Sequence, residues 1–215
     1  MIVMTMSLAL KTERSAHVDQ RGTNIAVAPA GRQDRNDVRN LFGALHAFNA
    51  DLDRRFALAD GWQALLDQHL EREWATGGSA TLLAHDGTAP VGLVIVGGHT
   101  DSPMFQERHW AEIMALYVVP DKRGCGVADR LTASAVEWAG EHGYDRIQLY
   151  VTATNVHARH FYARSGFQPI QEIWCRHIAA LPVDPPSDDV CETAQQSGEL
   201  LIGPHEHLLA DRQTS

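Results

Sequence analysis

The chain has 215 residues, 44% hydrophobic and 21% charged, which suits one well-filled core and leaves two full domains cramped. Its formal net charge of −9 gathers at one end: residues 181–215 hold seven acidic residues and one basic, so residues 1–180 carry only −3. A nucleic-acid partner would need a basic face, which this balance argues against, and no apolar run approaches the ~20 residues of a membrane helix.

Residues 1–22 show no clear period and read as an extension; their opening MIVMTMSLAL lacks a basic n-region and a small-residue cleavage site, so no signal peptide is expected. NIAVAPA (24–30) reads as a first strand. RQDRNDVRNLFGALHAFNA then spaces Val38, Leu41, Leu45 and Phe48 as a helix does. A second helix carries Trp62, Leu65, Leu66, His69 and Leu70 on one stripe. SATLLAHDG and APVGLVIVGG form a strand pair turning at Asp86-Gly87. WAEIMALYVV is a fourth strand, and CGVADRLTASAVEWAGEHG a helix capped by Gly143. RIQLYVT is a fifth strand, NVHARHFYARSG a short helix ending at Gly166, and QEIWCRHI (171–178) a late strand. Beyond Leu181, PVDPPSDD and polar filler read as a flexible acidic tail. The alternation of helix and strand predicts a layered α/β or α+β fold. Cys125, Cys175 and Cys191 show neither metal nor disulfide spacing, as in a reducing cytoplasm, and His205 and His207 are too isolated for a metal site.

LYVVPDKRGCGVADRL (116–131) concentrates the chemistry. A strand delivers the chain to Pro120, and a helix begins near Gly126, where a helix start offers unpaired amides and partial positive charge. Gly124 and Gly126 let an anion approach bare backbone, and Arg123 adds a guanidinium suited to phosphate. The pattern is neither the dinucleotide fingerprint nor the P-loop, since the third glycine of one and the Lys-Ser/Thr of the other are missing.

This stretch closely resembles the acyl-CoA motif of the GNAT superfamily of N-acetyltransferases, R/Q-x-x-G-x-G/A, filled by Arg123, Gly126 and Ala128, with the family's Val-x-Pro at Val118 and Pro120. NVHARHFYARSGF (155–167) is similar to the family's second motif, N-x-x-A-x-x-F-Y-x-x-x-G-F, and the resemblance runs from about residue 24 to 178. It implies a mixed, bent sheet with splayed fourth and fifth strands, flanked by helices, in a domain spanning 23–180. The tail is then 181–215.

The resemblance further implies acetyl-CoA as acyl donor, no metal, and an amine acceptor; it admits a homodimer. Leu116, Tyr117 and Val118 would hold the pantetheine and acetyl groups through backbone, with the Leu116 amide polarising the acetyl carbonyl. The amides of Arg123, Gly124, Cys125, Gly126, Val127 and Ala128 would cradle the pyrophosphate. Cys125 is read as a small loop residue rather than an acyl carrier. Asn155 would bind the pantetheine arm, a role compatible with capping its helix. Tyr162 would protonate the departing thiolate, a plausible transfer for a hydroxyl with a pKa of ~10. Glu112 lies four residues before Leu116, on the same face by strand alternation unless a bulge intervenes, and is the candidate base; His109 competes with it. On the acceptor side, HAFNADLDRRFALADGW, GGHTDSPMF and EIWCRHI offer Asp51, Asp53, Asp60, Arg54 and Arg55, each equally readable as a solvated or capping residue. Two other functions fit the motifs: an acyl-CoA-binding module without catalysis, and an aminoacyl-tRNA acetyltransferase. The second sits poorly with two lysines in the chain.

Overall fold

Val91 to Gly97 is apolar or glycine at every position and buried without a break, the signature of a strand covered on both sides. In the computed structural model, which describes residues 25–176, this segment lies in the central strand of a five-stranded sheet. The strands are β1 (Ile25–Pro29), β2 (Ser79–Asp86), β3 (Ala89–Thr100), β4 (His109–Val118) and β5 (Ile147–Leu149). They lie in chain order across the sheet; the first three neighbouring pairs are antiparallel and β4 pairs with β5 in parallel. No helix is long and apolar enough to cross a membrane among the described residues.

The helices α1 (Arg35–Leu52) and α2 (Trp62–Thr76) cover one face of the sheet, and α3 (Val127–Glu141) covers the other. A last helix, α4 (Val156–Arg164), follows β5. Residues of α3 at four-residue spacing, Val127, Leu131, Ala135 and Ala139, bury against Val94, Val96, Ala111 and Ile113. Opposite them, Val38, Leu41, Leu66 and Leu70 close over Leu83, Leu93, Ile95 and Ala115. Within α2 the expected stripe shifts slightly: Leu65 is exposed, while Glu73 continues the buried side.

That buried carboxylate is held rather than abandoned. Its two oxygens accept from the Thr81 amide at 2.7 Å and the Thr81 hydroxyl at 2.8 Å, tying the end of α2 to β2. Burial pushes the Glu73 carboxyl up, against the opposing pull of these hydrogen bonds. On the outer surface, Arg39 forks onto Asp67, and Arg32 and Arg35 both reach Glu71, so α1 and α2 are also clasped by charge.

The chain divides into two units between Phe167 and Gln168, and the first contains every helix and strand given above. In the second, residues 168–176 form neither helix nor strand, so the described part of the expected late strand is not one. A strand needs a ladder partner, and β5, the last strand of the sheet, has only three residues. The proposed extension 1–22, the tail 181–215, Cys191, His205 and His207 lie outside the described residues.

Candidate active site

Strand β4 pairs with β5 only at Ala111↔Ile147, Glu112↔Gln148 and Ile113↔Leu149. Beyond that point β4 runs on to Val118 bonded to β3 alone, which opens its other side. This parting also explains why the fifth strand is shorter than RIQLYVT suggests: from Tyr150 onward the ladder has ended. A bulge sits at the same place. Ile95 pairs with Ala115 and Val96 with Ile113, leaving Met114 as an extra residue on β4.

The bulge decides where main-chain groups point. The Ala111 amide donates to the Arg146 carbonyl on the β5 side, 2.9 Å, whereas the Val119 amide donates to Val91 on the β3 side, 3.0 Å. Alternation back from Val119 turns the main-chain groups of Val118 and Leu116 to the open side. Without the bulge, plain alternation of the same residues forward from Ala111 would have faced Leu116 the other way. The bulge also moves side chains: Leu116 packs on the α3 face, while Glu112, between the α3-facing Ala111 and Ile113, lies on the α1/α2 face. The same-face expectation for these two residues is therefore corrected.

At the end of β4 a short 3-10 turn, Pro120–Lys122, leads into the glycine-rich turn. Gly124 and Gly126 have φ of +73° and +78°, and a Cβ at either would meet nothing within 4 Å. The glycines are therefore required by backbone conformation, not by crowding. The turn delivers the first amides of α3, which lack intrahelical acceptors. Cys125 is partly exposed, with its thiol 3.7 Å from the Arg123 carbonyl. Arg123 itself turns back from the loop: Nε donates to the Val118 carbonyl at 3.1 Å, and the guanidinium lies 5.2 Å from the Phe48 ring and 5.7 Å from that of Tyr117.

Asn155 caps α4, its Oδ1 accepting from the Ala158 amide at 3.1 Å. Tyr162, on the same helix, packs edge-on against Phe161 and Phe167 at 5.2 and 5.6 Å. Burial pushes its hydroxyl up to about 12, so it stays protonated throughout the physiological range.

Around Glu112 the structure assembles a group that sequence patterns did not single out. Nδ1 of His99, on β3, lies 3.7 Å from Oε2 of Glu112, and both side chains are largely buried. The His99 ring stacks on Trp110 at 4.3 Å, and the Arg146 guanidinium lies 4.8 Å from the same indole. Tyr150 completes the group: burial raises its hydroxyl, with the charges of Glu112 and Asp101 adding to the effect. His109 instead shares a 3.0 Å hydrogen bond with Thr100.

A sequence model of the acetyltransferase (GNAT) family matches residues 45–167, more than half of the chain. The chain belongs to the acetyltransferase (GNAT) family. An uncharacterized N-acetyltransferase of Methanocaldococcus jannaschii is 34% identical over 91 residues, 41% of this chain and 40% of its own length. A mycothiol acetyltransferase of Clavibacter sepedonicus is 27% identical over 178 residues, covering 73% of this chain and 52% of the relative. The chain thus spans about half or less of the curated relatives it matches. In fold it is similar to the aminoglycoside acetyltransferase AAC(6')-Iy solved with the bisubstrate analogue CoA-S-monomethyl-acetylneamine: TM-score 0.59 and 16% identity, covering 72% of this chain and 99% of that one.

On this GNAT scaffold the segment between α1 and α2 is more self-contained than its charges suggest. Asp53 accepts from the Arg55 amide at 3.0 Å and pairs with the Arg55 guanidinium at 2.6 Å, the capping arrangement of an interhelical loop. The contribution of His99 could have been found from the hairpin: in register it sits opposite Trp110, diagonal to Glu112 and on the same face.

Proposed function

We propose that this chain transfers the acetyl group of acetyl-CoA directly to a primary amine of a small molecule or peptide. The observation that carries the reading is the parting of β4 from β5, with the Leu116 and Val118 main chain turned into the opening beside the glycine-rich start of α3. The Leu116 amide is the oxyanion donor, held in place by the sheet before any charge develops. Main-chain groups of Leu116 and Val118 hold the acyl arm, while those of Tyr117 face β3; the amides of residues 124–128 hold the pyrophosphate, the Arg123 amide donating instead to the Pro120 carbonyl at 3.1 Å. Asn155 keeps its amide nitrogen for the arm while its oxygen caps α4. Tyr162 donates to the departing thiolate, and Glu112 takes a proton from the acceptor ammonium. A relative named N-acetyltransferase and a neighbour solved with an acetylneamine analogue support an amine acceptor and make neamine a sensible first probe.

A thiol-release assay with acetyl-CoA tests this against amino acids, polyamines, neamine and other aminoglycosides, and peptides. Release that depends on one amine supports transfer. Acetyl-CoA binding without release from any amine would replace the reading with a binding module, and absence of binding would remove it altogether.

A further inference from the structure

We propose that His99 is the positioning and proton-accepting partner of Glu112, so that the base of this site is a carboxylate–imidazole pair spanning β3 and β4. The inference rests on the acetyl-transfer reading and adds a residue to it. Four observations converge. The hairpin register places His99 diagonally across from Glu112 on the α1/α2 face. Nδ1 and Oε2 stand 3.7 Å apart, with the two side chains only 16% and 18% exposed. The imidazole cannot swing freely, because it is stacked on Trp110, itself buried between strand neighbours. Gly97, the residue opposite Glu112 in register, leaves no room for a substitute: a Cβ there would come within 3.0 Å of both Ser79 and Met114.

The surroundings suit a proton leaving a cation. The charges of Glu112 and of Asp101, in the β3–β4 loop, act on Tyr150 after β5; the Arg146 guanidinium lies 4.8 Å from the Trp110 ring, and His109 is engaged by Thr100. An acceptor arriving as an ammonium loses one proton to the Glu112 carboxylate, which passes it to Nδ1 of His99; the imidazolium then releases it to solvent. The freed lone pair forms the N–C bond to the acetyl carbonyl, and the C–S bond breaks. The nitrogen's second proton balances the one that Tyr162 gives to the thiolate.

Two readouts test the pair. With neamine and spermidine as probe amines, His99→Gln lowers kcat/KM about tenfold near neutral pH, and the deficit narrows to about twofold by pH ~10, where more amine arrives neutral. A deficit that stays constant with pH, or no deficit, overturns the inference. The 15N signal of His99 Nδ1, which needs no acceptor, shifts in Glu112→Gln; an unmoved signal overturns the pairing even if neither probe is acetylated. The outcomes separate the two claims: loss of activity in Glu112→Gln with full activity in His99→Gln sinks only the inference. Full activity in Glu112→Gln sinks the base assignment beneath it.

Discussion

Nε of Arg123 donates to the carbonyl of Val118, 3.1 Å away, at the mouth of the opening between β4 and β5. The guanidinium that sequence reasoning aimed at phosphate is therefore used, in this structure, to brace the end of β4 against Phe48 of α1 and Tyr117. Under the proposed function, main-chain groups at that mouth serve the acyl arm only if the strand end is held still.

Arg123→Ala should raise the KM for acetyl-CoA about five- to tenfold while moving kcat little, since it removes a hydrogen bond and two cation–π contacts. Arg123→Lys keeps the charge but not the planar stack and should behave like the alanine variant. Recovery of wild-type KM by lysine would return the residue to a purely electrostatic role toward phosphate.

Tyr162→Phe should lower kcat about a hundredfold and leave acetyl-CoA affinity within about twofold, as expected for a group needed when the thiolate leaves. It has a second signature. Burial raises the folded-state pKa from an ordinary 10.0 to about 12, so between these values the unfolded chain loses a proton that the folded chain keeps. Stability therefore falls as pH rises through that window. Urea titrations across it should show a smaller fall in the phenylalanine variant; equal falls would remove Tyr162 as the cause.

Glu73→Ala should cost roughly 2–4 kcal/mol of stability, because it strands the Thr81 amide and hydroxyl in the interior. Glu73→Gln can keep both contacts. With the folded carboxyl raised above its ordinary 4.5, the wild type is favoured at acid pH and loses that advantage as pH rises through the folded value. The stability of the Gln variant relative to wild type should accordingly improve with pH, and a flat difference in denaturation midpoints would contradict this.

Much of this architecture is visible in the chain itself. The unbroken run from Val91 to Gly97 announces a strand covered on both faces, and Val127, Leu131, Ala135 and Ala139 announce the helix on one of them. Gly124 and Gly126 mark a turn that only glycine adopts without strain. What could not be read is phase and pairing. AEIMALYV is apolar but for Glu112, and nothing in it says that Met114 will be the residue left over. Hence Glu112 and Leu116 were expected on one face and occupy two. RIQLYVT has strand composition throughout, but the length of a strand is set by its partner, and β4 stops pairing at Ile113. His99 carries no motif at all, and its relation to Glu112 exists only across a hairpin register.

The single extra residue in β4 separates two kinds of evolutionary constraint. Under the proposed function, everything the donor touches on this strand is peptide backbone, which any side chain supplies equally. Everything that meets the acceptor is side chain, on the other surface of the same ribbon. Substitutions at positions 110, 112 and 114 can then retune the choice of amine while the acyl donor goes on being recognised unchanged. One strand thus keeps a fixed partner and a replaceable one, and the single residue left over between Ile113 and Ala115 is what keeps the two apart.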